Sequence, residues 1–121
     1  MGEKFKFLDW PVYKDSRNLF SFVISLIKKL PQQYRFELGN QILRSSFSVS
    51  LNIAEGSGKS TKKDFSHFLD ISLGSLYETI VAADMLRDNK LITETEFQTV
   101  LEKADKISRQ LGGFKKSLKK T

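Results

Sequence analysis

Four stretches of this chain repeat an apolar residue every three or four positions, and each stretch ends in a break of a few residues. From Val12 to Lys29 the repeat reads Leu19, Val23, Leu26 or Ile27, then Leu30. Residues at that spacing return to one side of an α-helix. The second stretch, from about Gln32 to Glu55, places Tyr34, Leu38, Ile42, Ser45, Val49 and Ile53 inward. The third, from about Lys62 to Asp88, repeats Phe65, Phe68 or Leu69, Ser72, Leu76, Ala83 and Leu86. The fourth carries Phe97, Leu101, Ala104, Ile107 or Ser108, Leu111, Phe114 and Leu118. No segment alternates like a half-buried strand.

The breaks have their own chemistry. Pro11 and Pro31 both precede helical patterns, where proline's missing N–H costs nothing. Thr61 with Asp64, and Thr93 with Glu96, have capping-box spacing. Gly56 reads as a helix stop in the left-handed conformation, and Asn89 as another stop. Breaks as short as those near residues 30–32, 57–61 and 89–93 leave successive helices side by side and antiparallel. The expected fold is all-α, an antiparallel up-down-up-down four-helix bundle. It forms a single domain over 1–121, with helices at about 12–29, 32–55, 62–88 and 94–118.

Composition narrows the function classes. No apolar run approaches the ~20 residues that span a bilayer, and Met1-Gly2-Glu3-Lys4-Phe5-Lys6 is not a signal peptide. There is no cysteine, so disulfides and thiolate metal sites are excluded. A cytoplasmic protein is expected. Gly56-Ser57-Gly58-Lys59-Ser60-Thr61 imitates the end of a phosphate-binding P-loop. Ile53 stands where that motif needs glycine, and a helix precedes where it needs a strand. The single histidine forms Asp64-x-x-His67, which cannot furnish the paired ligands of a di-iron bundle. No nucleophile motif accompanies it. The expectation is no enzyme, no cofactor and no metal.

Polar groups within the two middle helices carry more information. Arg44, Asn52, Glu55 and Glu78 interrupt apolar, small-residue helices and read as structural polar positions. Partners across an antiparallel pair joined at 57–61 have numbers summing to about 118 within a turn, so Arg44 is expected to pair with Glu78. Ser45, Ser46, Ser48 and Ser50, with Gly74 and Ser75, are expected to let these helices approach closely. Phe5, Phe7 and Trp10 precede the first helix and serve either to staple the chain start onto the bundle or to bury against a neighbouring subunit.

The net charge of +6 is not spread evenly. Residues 1–31 hold six cations and three acids, and residues 93–121 hold seven and four, while the middle of the chain balances. In an up-down-up-down bundle the chain start, the turn between the middle helices and the chain end share one end. That end collects Lys4, Lys6, Lys59, Lys62, Lys63, Lys115, Lys116, Lys119 and Lys120. The expected ligand is DNA or RNA, bound through phosphates with little sequence preference.

Three stretches also carry a family resemblance. Gln41-Ile42-Leu43-Arg44-Ser45-Ser46-Phe47-Ser48-Val49-Ser50-Leu51-Asn52-Ile53-Ala54-Glu55-Gly56-Ser57-Gly58-Lys59 resembles the signature of the bacterial four-helix-bundle family called 23S rRNA intervening-sequence proteins. Phe65-Ser66-His67-Phe68-Leu69-Asp70-Ile71-Ser72-Leu73-Gly74-Ser75-Leu76-Tyr77-Glu78 resembles its second signature, and Leu8-Asp9-Trp10-Pro11-Val12-Tyr13-Lys14 its opening. The resemblance implies up-down bundles assembled as homopentamers. It also implies relatives that bind nucleic acid and a reverse transcriptase, with no catalysis. Lys59 stands where many relatives carry arginine, which keeps charge but loses bidentate phosphate geometry. The sequence thus points to an oligomeric, non-catalytic nucleic-acid-associated module, with a protein–protein interaction scaffold as the alternative.

Overall fold

The computed structural model describes residues 4–119. Among them are four long helices and no strand. After a single 3-10 turn at Lys6–Asp9, α1 runs Pro11–Lys29 and a one-turn helix, α2, covers Gln32–Arg35. The remaining helices are α3, Glu37–Ser57, α4, Lys62–Asp88, and α5, Glu94–Lys119. α1 and α4 each pack on both α3 and α5, and α3–α4 is the most extensive contact. Cross-helix bonds fix the directions: Ser16 meets Ser50, Ser48 meets Ser75, and Asp15 meets Gln110. Each long helix is therefore antiparallel to its neighbours in an all-α four-helix bundle.

The core is the sum of the four stripes. Leu19, Val23, Leu26 and Leu30 from α1 and its end meet Ile42, Val49 and Ile53 of α3. Leu69, Leu76, Ala83 and Leu86 of α4 and Phe97, Val100, Ala104, Ile107 and Leu111 of α5 close the other side. The second stripe departs from expectation at its start. Tyr34 and Leu38 are exposed, not inward. The chain makes one helical turn after Pro31, breaks at Phe36, which keeps helical dihedrals, and continues as α3, whose buried arc of Gly39, Ile42, Ser46, Val49 and Ile53 leaves Leu38 at its edge.

Two glycines also differ from their expected roles. α3 does not stop at Gly56 but runs on to Ser57, capped by Gly58 at φ −90°, ψ 0°, so no left-handed residue is needed. Gly56 is instead buried where α4 begins. A Cβ there would lie 2.9 Å from Phe65 Cδ1 and 3.0 Å from Phe68 Cβ. Gly74 faces open space and does not bring helices together. The close approach is made by hydroxyls. Ser48 bonds Ser75, Thr79 donates to Ser45, and buried Ser72 donates to the Val49 carbonyl.

Helix ends follow their local chemistry. α4 closes around Asn89 with the Lys90 N–H on the Arg87 carbonyl and the Leu91 N–H on the Leu86 carbonyl. This arrangement holds Lys90 at φ 61°. At the start of α4, the Asp64 N–H donates to Thr61 Oγ1 at 3.1 Å. At the start of α5 both halves of the capping box form. The Glu96 N–H donates to Thr93 Oγ1 at 3.0 Å, and the Thr93 N–H donates to Glu96 Oε1 at 2.9 Å. The other oxygen, Glu96 Oε2, takes Lys29 at 3.0 Å and ties α1 to α5.

Gly56→Ala forces a methyl into the α3–α4 contact at about 1–3 kcal/mol, offset by about 1 kcal/mol of helix propensity. A net loss of up to about 2 kcal/mol in chemical denaturation is expected. The Thr93 N–H bond, followed by Lys29, holds the Glu96 carboxyl below its ordinary range. A depressed carboxyl stabilises the fold above the unfolded value near 4.3 and loses that contribution as pH falls through the folded value. Melting temperature should drop below about pH 4.3, and Glu96→Gln should flatten part of that drop. Thr93→Ala should cost about 0.5–2 kcal/mol at neutral pH.

Candidate nucleic-acid interface

The end that gathers the chain start, the α3–α4 turn and the end of α5 is built on an aromatic cluster. Trp10 lies 6.0 Å from Phe65, nearly parallel, and 5.0 Å from Phe114, while Phe65 meets Phe114 at 5.1 Å. Phe7 rests edge-on against Tyr13 at 5.2 Å. Trp10 and Phe7 therefore staple the chain start onto the bundle, whereas Phe5 stays half exposed. Three sequence-distant segments are held at one end because their rings fill one apolar space, with offset and edge-on geometry that suits their quadrupoles.

Lysines surround this cluster. Lys59 contacts Glu55 Oε2 at 3.4 Å, and its Nζ lies 4.9 Å from the centre of the Phe68 ring. Lys115 pairs with Asp70. Lys4 lies over the Phe5 ring at 6.0 Å. Lys6, Lys62, Lys63, Lys116 and Lys119 are exposed and form no ion pair among the described residues. Lys120 lies outside the described residues. Eight described lysines thus face four carboxylates here, Asp9, Glu55, Asp64 and Asp70.

The far end carries five cations and balances them. Lys28, Lys29, Arg35, Arg87 and Lys90 are matched by Glu37, Asp84, Asp88, Glu94 and Glu96. Arg87 pairs with Asp84 and with Glu94 Oε1 at 3.1 Å. Lys29 is held by Glu96, and Arg35 donates to the Leu30 carbonyl at 3.1 Å. The Gln98 side chain, then Arg87, lowers the Glu94 carboxyl below its ordinary range. The surplus positive charge therefore sits at the aromatic end.

The structural polar residues divide. Asn52 donates to the Ser48 carbonyl and Oγ within α3, and Glu55 is taken by Lys59. Arg44 and Glu78 do not pair, contrary to expectation; both are exposed. Their register is close, because their neighbours Ser45 and Thr79 are hydrogen-bonded across the seam. One residue along a helix is a rotation of about 100°, and here that rotation turns each charge away from the seam and toward solvent. His67 and Asp64 are likewise exposed. Among the described residues no group of three His, Asp or Glu is placed to hold a metal.

One surface was not read from the sequence. The outer side of α3 and α4 exposes Leu38, Leu51, Tyr77, Val81 and Met85, while exposed Phe47 lies against Phe20 of α1. Beside it a groove of about 750 Å³ runs between Tyr34, Leu38, Glu78, Met85 and Leu91. Its signal was present: Tyr77, Val81 and Met85 form a second i, i+4 row on α4, off the core stripe.

The fold is a four-helix bundle with one basic, aromatic-stapled end and an apolar outer face. The model of the 23S rRNA-intervening sequence protein family matches residues 9–113, and the chain belongs to that family. A crystal structure of a protein of unknown function from the S23 ribosomal protein family of Bacteroides thetaiotaomicron VPI-5482 is similar, at 27% identity and TM-score 0.80. The match covers 87% of this chain and 98% of that one. No curated protein matches. Among the described residues no helix is long and apolar enough to cross a membrane.

The aromatic cluster sets a test of this end. Trp10→Ala removes the ring that joins α1 to both Phe65 and Phe114, and should cost about 2–4 kcal/mol in urea unfolding. Phe5→Ala, at a half-exposed ring, should change stability by less than about 1 kcal/mol.

Proposed function

We propose that this protein is an oligomeric, non-catalytic, cytoplasmic module that binds DNA or RNA through its basic end. The observation that carries the reading is the contrast between the ends. One sets five cations against five acids and engages Lys29 and Arg87 in ion pairs, while the other sets eight lysines against four acids and pairs only Lys59 and Lys115 among the described residues. Such a surface suits phosphates, whose binding releases condensed counterions and needs no base-specific geometry. Assembly into a ring, as the family resemblance implies for a homopentamer, would repeat the lysine cluster around one rim and deepen its potential. Family resemblance also supports a reverse transcriptase as a protein partner.

A second reading, a protein–protein interaction scaffold, is favoured by a separate observation, the exposed apolar face of α3 and α4.

Fluorescence anisotropy with labelled DNA and RNA tests the leading reading. Affinity should fall steeply with salt. Lys59→Glu, Lys62→Glu and Lys63→Glu together should weaken binding at least about tenfold and lower the salt slope by about 2–3. Lys28→Glu with Lys90→Glu, at the opposite end, should leave affinity within about twofold. Binding lost from the control pair and kept by the triple variant would misplace the site. No binding at low salt would leave the scaffold reading in its place.

A further inference from the structure

The rings of the basic end fall into two sets. Trp10, Phe65 and Phe114 meet one another and hold three segments together. Phe5 belongs neither to that cluster nor to the core. It is 49% exposed and stands between exposed Lys4 and Lys6, with Lys4 Nζ 6.0 Å from its ring centre. Neither lysine forms an ion pair among the described residues. The 3-10 turn that follows packs on α1 and α3, so this ring is carried on fixed backbone. Exposed His67, edge-on to Phe68 at 5.6 Å, presents a further ring among the lysines of this end.

We infer that the basic end takes single-stranded nucleic acid in preference to duplex, with Phe5 stacked on an unpaired base and Lys4 and Lys6 on the flanking phosphates. An exposed ring alone is ordinary on a protein surface. What distinguishes Phe5 is an uncommitted cation on each side. Phe36, at the far end, makes the contrast: it is 77% exposed, but Arg35 beside it donates to main-chain carbonyls and Glu37 follows it. Phosphate contacts alone favour the duplex, whose charge density is higher. Bases in a duplex are already stacked on both faces and offer a ring nothing to cover. In a single strand each base has a free face, and stacking on it is tolerant of sequence. The Phe5 ring therefore reverses the order that charge alone would set. The inference rests on the nucleic-acid reading above and names the form of nucleic acid that this end selects.

The test is fluorescence anisotropy of the full chain with a labelled oligothymidylate and with a DNA duplex of the same length, at one salt concentration. Wild type should bind the single strand more tightly. Phe5→Ala should weaken single-strand binding about tenfold and leave duplex binding within about twofold. Phe5→Leu, apolar but without a ring face, should lose as much as Phe5→Ala. Phe5→Trp should keep the affinity, and its indole emission, read against the wild-type Trp10 background, should be quenched by the single strand and not by the duplex. Phe36→Ala should change neither affinity. Duplex bound as tightly as the single strand, or Phe5→Leu binding like wild type, overturns the stacking role and leaves the phosphate reading standing. An equal loss on both probes in Phe5→Ala also overturns it, since the ring would then act only by placing the chain start. Binding of neither probe at low salt overturns both this inference and the nucleic-acid reading.

Discussion

The contact between α3 and α4 governs the rest of the molecule. These helices approach closely because Gly56 presents no side chain to Phe65 and Phe68, and because serine and threonine line the remaining length. Hydroxyls in a seam are costly unless bonded. Here Ser48 finds Ser75, Thr79 finds Ser45, and Ser72 finds a main-chain carbonyl, and among the described residues no buried side-chain polar atom lacks a partner. Such bonds are directional, so they fix the register of the two helices as well as their distance. Register then decides which neighbours of the seam face outward, Arg44 and Glu78 among them.

The same contact shapes the basic end. With Gly56 against Phe65, the start of α4 is held where its ring reaches Trp10 and Phe114. The α3–α4 turn, the chain start and the end of α5 are thereby brought under one aromatic cluster. Lysines that are far apart in the chain become one surface through apolar packing. The far end shows the opposite economy. There the capping box of α5 recruits Lys29 through Glu96, and Arg87 bridges α4 to Glu94. Charges that hold helix ends together are spent locally and contribute little outward field.

Much of this was legible in advance where a short-range rule applied. The core stripes of α1, α4 and α5 follow helical spacing, and Thr93-Glu94-Thr95-Glu96 names its own cap because every partner is within three residues. The basic end was legible from topology, since chain direction alone puts the termini beside the middle turn. Legibility failed where one residue of rotation mattered. Arg44 and Glu78 have nearly the right numbers to meet but the wrong side of the helix. Tyr34 and Leu38 have the right spacing but fall at or beyond the edge of the buried arc that Gly39, Ile42, Ser46 and Val49 define. Gly56 was read as a stop because glycine commonly ends helices, whereas here its value lies in what it leaves room for.

By itself the sequence determined the helical class, the number of long helices, their order and the end at which positive charge collects. Those properties depend on apolar period, short connections and capping groups, all of which act within a turn or two of chain. Only the tertiary structure decided which lysines are held by carboxylates, which side of α4 is left uncovered and which polar pairs form across the seam. Each of those depends on the rotation and separation of helices set by packing, and a rotation of about 100°, a single residue, turns a buried partner into an exposed charge.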